Sequence, residues 1–297
     1  PLFRSWSFSI IIPLYNKADY IAETLKSVLN QTYCDYEVIV VNDSSTDNSL
    51  EVASSFQDER IHIYTKENEG VSAARNYGIM HAKYDYIAFL DADDIWESDY
   101  LECQKKLIGT YPDAGIYSTA FYSLEKRKRK LRNVLINEHI HFLVHDYFKE
   151  SVMNGLSICW TSSLCLKKEV IKEIPMFRVG IKRGEDLDLW LRIALNYDVA
   201  YLNLPKVFYR TGLSDSLTSD YSKNGEFPYY EWFNFTSESS YYRKYVILVV
   251  YIHAKNAFIH HDYDTCLAEL WSVKTIAWRF KWAERLLLLV ISWIKSK

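Results

Sequence analysis

The stretch Phe8-Ser9-Ile10-Ile11-Ile12-Pro13 is almost continuously apolar and rich in β-branched residues. Such a run is typical of a strand that is buried on both faces, as the strands of parallel sheets are. Two more apolar runs follow, at Glu37–Val41 and Tyr86–Leu90, and segments with helical spacing separate them. Strands and helices that alternate in this way predict an α/β fold, with a mostly parallel sheet and helices on both faces.

The elements between these runs are predicted from apolar spacing and turn residues. Helices are expected over residues 19–29, over about 47–56, from about Gly70 and from Gly184, with a further strand over 61–64. Asp19 is a candidate N-cap for the first helix because its side chain can accept a backbone N–H bond.

The composition changes after about residues 214–224, where serine, aspartate and tyrosine give way to helical patterns. We therefore divide the chain into residues 1–214 and a mainly helical extension over 215–297.

Composition excludes several functional classes. The chain has 35 Lys and Arg against 38 Asp and Glu, a net charge of −3, so no basic excess points to nucleic acid. Its five cysteines are an odd number and form no CxxC pair, which argues against a disulfide framework or a structural zinc site. A reducing, cytoplasmic compartment fits this cysteine usage.

Polar residues follow the predicted strands where they end, which is where α/β sheets bind ligands. The most specific set is Asp91-Ala92-Asp93-Asp94, directly after the strand at Tyr86–Leu90. If the extended backbone persists, Asp91 and Asp93 point the same way and suit Mg²⁺ or Mn²⁺. The alternative is that these acids are ordinary loop or helix-cap residues that bind no metal.

No GxGxxG follows the first strand and no GxxxxGK[ST] occurs, which disfavours a nicotinamide-dependent dehydrogenase or a P-loop enzyme.

Taken together, five ordered motifs resemble the family 2 glycosyltransferases of the GT-A fold, most closely the bacterial enzymes that build surface polysaccharides. The motifs are Ser9–Asn16, Val40–Asp47, Asn68–Asn76, Asp91–Asp94 and Gly184–Asp186. The resemblance covers roughly residues 7–212. It implies a Rossmann-like GT-A domain over 1–214, with a nucleotide half over about 1–97 and an acceptor half over about 98–214.

The resemblance also implies a donor site. Pro13 and Tyr15 resemble the wall of the nucleotide-base pocket, and Asp43 resembles the group that accepts a hydrogen bond from the base. Arg75 resembles a nucleotide contact, and Asp91 resembles the residue near the ribose. Each has a structural alternative: Asp43 as a local Asx-turn residue, Tyr15 as a packing residue and Arg75 as the partner of a surface acid.

For the chemistry, the resemblance implies that Asp93 binds Mn²⁺ or Mg²⁺ and that Asp186 is the catalytic base. The alternative for Asp186 is a helix-capping role with its neighbour. Glu185, Arg210 and Trp160 are candidates for contacts to the diphosphate or the acceptor. Many family members have a histidine shortly after the Tyr-Arg pair that ends in Arg210. This chain has Thr-Gly-Leu there, which puts a third metal ligand from this segment in doubt.

The function implied is inverting transfer of a hexosyl or N-acetylhexosaminyl group from a nucleotide sugar, with UDP favoured. The acceptor is a hydroxyl of a glycan or of a polyprenyl-diphosphate-linked sugar. Two alternatives stay open: a non-catalytic nucleotide-sugar-binding protein on the same fold, and a sugar-phosphate nucleotidyltransferase. The second would need a glycine-rich basic loop after the first strand, and residues 12–16 contain no glycine.

Two segments suggest a peripheral membrane contact. Lys126–Arg132 holds six basic residues in seven, and Trp278–Lys297 interleaves tryptophans with basic residues around a short apolar run. Anionic lipid on the inner face of the cell membrane is the candidate partner. The alternatives are a solvated loop for the first segment and a packed helix for the second.

Overall fold

The computed structural model describes residues 6–126, 128–155, 157–181, 183–213, 232, 236–259 and 261–272. The predicted boundary at 214–224 and the Trp278–Lys297 segment lie outside these residues. No helix in the described ranges is long and apolar enough to cross a membrane.

A ten-stranded mixed sheet forms the centre of the molecule. Its strands are β1 (Phe8–Leu14), β2 (Tyr36–Asn42), β3 (Ile61–Thr65), β4 (Tyr86–Phe89), β5 (Ile95–Trp96), β6 (Ile116–Glu125), β7 (Lys128–Arg132), β8 (His141–Val144), β9 (Leu164–Lys167) and β10 (Val199–Thr211). The order is β3-β2-β1-β4-β9-β6-β10-β5, with β7 paired to β6 and β8 paired to β10. The half from β3 to β4 is parallel, whereas β9 is antiparallel to both β4 and β6.

Helices cover both faces of this sheet. They are α1 (Ala18–Leu29), α2 (Ser49–Ser54), α3 (Val71–His81), α4 (Tyr100–Thr110), α5 (Tyr147–Asn154), α6 (Lys168–Glu173), α7 (Glu185–Ala194), α8 (Tyr242–Ile259) and α9 (Tyr263–Ser272). Successive side chains of β1 point to opposite faces of the sheet, and this accounts for the two core layers. Ile11 faces one core, with α3 and α7, while Ile10 and Ile12 face the other, with α1 and α4.

The α/β class and the two-sided helical cover are therefore confirmed. Two local predictions are wrong. Lys17, not Asp19, holds the N-cap position of α1. Asp19 lies in the first turn, where a carboxylate interacts favourably with the helix dipole. The loop given as the alternative for the basic run is wrong for residues 128–132, which form β7, an exposed edge strand that pairs antiparallel with β6. Charged residues are a common protection for such edges.

Part of the chain beyond residue 214 is built into the same core as α7. The indole of Trp232 is fully buried and donates a hydrogen bond to Asp188 Oδ1, at 2.8 Å. The Tyr242 hydroxyl in turn donates to the Trp232 carbonyl at 2.7 Å. Tyr245 on α8 lies against Tyr147 on α5, with their hydroxyl oxygens 3.0 Å apart. These contacts tie α8 to the helix that carries the predicted base.

We predict that Trp232→Phe destabilises the fold. It removes the indole donor from a buried carboxylate, a loss of about 1–3 kcal/mol, which corresponds to a fall of several degrees in melting temperature. Thermal unfolding followed by circular dichroism measures this. Tyr251→Phe changes an exposed side chain on the same helix, α8, and should melt with the parent. Equal melting of Trp232→Phe and the parent would show that the indole bond stabilises nothing.

Candidate active site

The carboxyl ends of β1, β2 and β4 meet at one edge of the sheet, as predicted. The first turns of α3 and α7 and a short 3₁₀ turn at Thr161–Ser163 complete the rim. These elements come from distant parts of the sequence. The contacts among their polar side chains define the site.

Arg75 is the centre of these contacts. It lies on α3, is 3% exposed, and donates from Nη2 to Asp91 Oδ1 at 2.7 Å and from Nη1 to Glu185 Oε1 at 2.8 Å. Burial by itself lowers the pKa of the guanidinium, but the charges of Asp91 and Glu185 outweigh it and raise that pKa. Arg75 therefore stays charged, and it joins the end of β4 to the start of α7. Its partners are two acids of the site rather than one on the surface.

Glu185 is the first residue of α7 and is buried. Burial, followed by the charge of Asp186, raises its pKa from an ordinary value of 4.5 to about 7, against the opposing effect of Arg75. A carboxyl with this pKa changes its protonation near neutrality, which is typical of active sites.

Asp186 follows directly and is half-buried. The Thr161 hydroxyl donates to its Oδ2 at 2.9 Å, and the Leu187 amide donates to its Oδ1 at 2.7 Å. These bonds fix the orientation of a carboxylate that still reaches solvent. Of the two adjacent acids, only Glu185 forms an ion pair with Arg75.

The acidic motif after β4 does not stay extended. The Asp94 amide donates to the Asp91 carbonyl at 3.0 Å, which makes a turn. Asp91 and Asp93 consequently meet different cations, Arg75 for the first and Lys17 for the second, with Lys17 Nζ 2.8 Å from Asp93 Oδ2. The expectation that the two carboxylates share one extended face is wrong for this reason.

Asp94 anchors this turn. It is fully buried, and burial above all, then the charges of Asp93 and Asp91, raises its pKa well above the ordinary range. The Ser162 hydroxyl donates to Asp94 Oδ2 at 2.5 Å and accepts from the Asp91 amide at 3.1 Å. The Arg210 amide donates to Asp94 Oδ1 at 3.1 Å.

Asp43, directly after β2, is almost fully buried. It accepts from the Gly70 amide at 2.8 Å, the Glu69 amide at 3.1 Å and Lys66 Nζ at 2.9 Å. The local turn is closed instead by Asn42, whose Oδ1 accepts from the Ser45 amide. Asp43 is thus no Asx-turn residue. Two of its three bonds fall on Oδ1, so Oδ2 keeps capacity to accept another hydrogen bond.

The remaining predicted residues lie on the same rim. Pro13 is near the end of β1, and the Tyr15 ring beyond it is 45% exposed. Arg210 Nη1 donates to the Asp93 carbonyl at 3.0 Å. Trp160 is half-buried, and its ring stacks on Phe121 at 5.3 Å between centroids.

The sequence argument missed three residues of the site, Lys17, Thr161 and Ser162, and it named Asp94 in the acidic motif without giving it a role. Two signals for them were present. Lys17 follows the first strand by three residues, and the hydroxyl-rich stretch at 157–166 contains both hydroxyls that hold the acids. Only the folded chain shows which hydroxyl meets which acid.

With this geometry in place, comparison with known proteins is informative. Residues 9–174 match the profile of the family described as Glycosyl transferase family 2. The chain belongs to that family. It is 33% identical over 196 residues to the putative teichuronic acid biosynthesis glycosyltransferase TuaG of Bacillus subtilis, covering 65% of this chain and 74% of that one.

Other relatives are longer. An uncharacterized glycosyltransferase of Rickettsia felis is 34% identical over 190 residues, which is 63% of this chain but 30% of that protein. Glycosyltransferase GlyA of Streptococcus pneumoniae is 32% identical over 212 residues, 68% of this chain and again 30% of the relative. The chain therefore spans only about a third of the length of several relatives.

Among solved structures, residues 1–349 of S. aureus TarS in complex with UDP-GlcNAc superpose with a TM-score of 0.71. The match covers 89% of this chain and 79% of that 1–349 chain, at 18% identity. That likeness establishes the fold. The predicted family and its glycosyltransferase class are confirmed by the profile match and the relatives.

We predict that Glu185 makes stability depend on pH. Because its pKa is higher in the folded chain than the ordinary value of 4.5, the folded state binds more protons between pH 4.5 and about 7. The free energy of unfolding should therefore fall as pH rises through this window, by about 1.4 kcal/mol for each unit of pKa shift.

Glu185→Gln should flatten that part of the curve, as measured by melting temperature at pH 5, 6, 7 and 8. Glu51→Gln removes an exposed carboxylate from α2 and is the matched control. The assignment fails if Glu185→Gln and the parent keep the same slope.

Proposed function

We propose that the protein is an inverting, metal-dependent glycosyltransferase that moves a sugar from a UDP-linked donor to a hydroxyl of a glycan or lipid-linked acceptor. The observation that carries the proposal is the pairing of Arg75 with Asp91 and Glu185, because it leaves Asp186 as the oriented carboxylate with solvent access. A displacement at the anomeric carbon needs such a base beside the attacking hydroxyl.

Asp186 suits the base role better than its neighbour does. Glu185 is buried and engaged with Arg75, so it cannot approach an acceptor without breaking a buried ion pair. Asp186 is held by Thr161 through one oxygen only, and a carboxylate oxygen can accept a second hydrogen bond. In the proposed step, Asp186 takes the proton of the acceptor hydroxyl while the nucleoside diphosphate leaves from the opposite face of the sugar.

Three features support a UDP-sugar as the donor. The exposed Tyr15 ring offers a face on which a base can stack, and Oδ2 of Asp43 can accept from an imide N–H such as that of uracil. The TarS structures of the same fold contain UDP-GlcNAc and UDP. This likeness supports a hexosyl or N-acetylhexosaminyl donor as part of the proposal.

The carboxylates at the strand exit also fit a divalent cation whose remaining ligands come from the substrate. No group of three or more His, Cys, Asp or Glu side chains suited to a metal occurs among the described residues. Asp93 is nevertheless partly exposed at the strand exit, and Mg²⁺ or Mn²⁺ is commonly held by one or two carboxylates together with substrate phosphates. Asp93 would hold the ion, and the ion would neutralise charge on the leaving diphosphate.

One relative bears on the nature of the acceptor. TuaG carries a name from teichuronic acid biosynthesis, which supports a surface polysaccharide as the product. We place the protein in the cytoplasm, on the inner face of the cell membrane, where a polyprenyl-diphosphate-linked acceptor would lie. Arg210 and Trp160 border the site and are the proposed acceptor or diphosphate contacts.

We predict that Asp186→Asn lowers turnover by about 10²–10⁴-fold, the usual effect of losing a general base. Release of UDP from a panel of UDP-sugars, with and without acceptor, measures this. Thermal stabilisation by UDP should be unchanged, since the substitution is nearly isosteric and lies outside the proposed nucleotide contacts. Asp113→Asn, on an exposed loop, is the control and should keep parental turnover.

Turnover of Asp186→Asn within a few-fold of the parent would move the base role elsewhere, with Glu185 the first candidate. A parent that binds UDP-sugars but turns none of them over would favour the non-catalytic binding protein.

A further inference from the structure

A strongly charged surface outside the active site lies on the segment 125–141, which we call the basic hairpin. It contains six Lys or Arg and two Glu, in a chain whose net charge is −3. Its strand β7 is exposed along its whole length and forms an edge of the sheet. A local positive surface of this kind attracts negatively charged partners.

Apolar side chains stand next to these charges. Ile136 is fully exposed and Ile140 is 60% exposed. The loop that carries them is nevertheless fixed to β10, because the Asn203 side chain exchanges two hydrogen bonds with the Leu135 backbone, at 2.8 and 2.9 Å. The backbone amide of Asn203 also donates to the Ile140 carbonyl at 2.7 Å. The fold therefore holds two isoleucines in water instead of burying them.

The basic hairpin borders the active site. In the sheet register Arg129 of β7 pairs with Leu124 of β6, and Leu124 pairs with Arg210 of β10. Two strand spacings, about 10 Å, separate Arg129 from Arg210. Arg210 contacts the Asp93 carbonyl, so a surface that engages the hairpin lies beside the acidic motif.

We propose that the basic hairpin docks on an anionic phospholipid bilayer, with its lysines and arginines on the headgroups and Ile136 and Ile140 inserted at the interface. Charge complementarity argues for an anionic partner, and the exposed isoleucines argue for one with an apolar layer beneath its charge. A soluble anionic glycan would satisfy the basic strand but would leave the isoleucines in water. Docking here would turn the active-site edge toward a lipid-linked acceptor; that consequence, though not the docking itself, rests on the proposed function.

Flotation of the full chain with vesicles tests the docking. Vesicles of neutral phosphatidylcholine are compared with vesicles that contain about one-third phosphatidylglycerol, at low and high salt. The triple variant Lys126→Gln/Lys128→Gln/Lys130→Gln should lower partitioning onto anionic vesicles about a hundredfold, since each basic residue contributes about fivefold. Ile136→Ser/Ile140→Ser should lower the binding that survives high salt at least about tenfold.

Matched controls alter the same residue types elsewhere on the surface. Lys26→Gln/Lys106→Gln/Lys172→Gln removes three exposed charges, and Met80→Ser/Met153→Ser removes two exposed apolar side chains. Both should bind vesicles as the parent does. All variants should keep the parental melting temperature and the parental stabilisation by UDP in solution.

The proposal is overturned if the hairpin variants float with the parent, if the controls lose as much binding, or if the parent ignores anionic vesicles at low salt. A parent that binds a soluble polyanion but no vesicle also overturns it. Stabilisation by UDP, read in the same samples without lipid, reports on the donor site alone, so failure of the proposed function would be visible separately.

Discussion

Two ion pairs made by one buried guanidinium hold the active site together. Arg75 extends from α3 to Asp91 at the end of β4 and to Glu185 at the start of α7. Because Arg75 and Glu185 are buried and Asp91 is only partly exposed, removing the arginine would leave two carboxylates close together without a counter-charge. Breaking a buried pair in this way typically costs about 3–5 kcal/mol. The position of α7, and with it that of Asp186, depends on this arrangement.

The same interaction sorts the acids of the site by role. Asp91 and Glu185 are committed to Arg75, and Asp94 is buried under Ser162 and the Arg210 amide. Asp93 pairs with Lys17 instead, and Asp186, which is half-buried, accepts from the Thr161 hydroxyl and the Leu187 amide. The sorting comes from burial and hydrogen bonding, because all five acids lie within two short sequence clusters, 91–94 and 185–186, whose members look alike in the sequence.

Much of the fold follows from local sequence pattern. The buried strands β1, β2 and β4, together with the helices between them, are apparent from apolar runs and their spacing, and they locate the ligand-binding edge. The second half of the sheet is less accessible to such reasoning. Strand β9 is four residues long and inserts between β4 and β6, and β7 consists of residues whose charges resemble those of a loop.

The sequence predicts which charged residues form the site but not which residues they contact. The predicted residues all stand in motifs, so they can be identified from the sequence alone: Asp43, Arg75, Asp91, Asp93 and Asp186. Their partners are distant in sequence: Glu185, which pairs with Arg75, is 110 residues away, and the Thr161 hydroxyl that donates to Asp186 is 25 residues away. Periodicity says nothing about pairs of this kind, which arise only when the sheet and the helices pack.

The most direct test of this account is calorimetric titration of UDP into the parent, Asp91→Asn and Asp93→Asn, each in Mn²⁺ and in a chelator. If Arg75 sorts the acids as described, Asp93→Asn should lose the gain in UDP affinity that Mn²⁺ provides, whereas Asp91→Asn should keep most of it. A gain that survives in Asp93→Asn but disappears in Asp91→Asn would contradict the account, because the carboxylate held by Arg75 would then be the one that serves the metal.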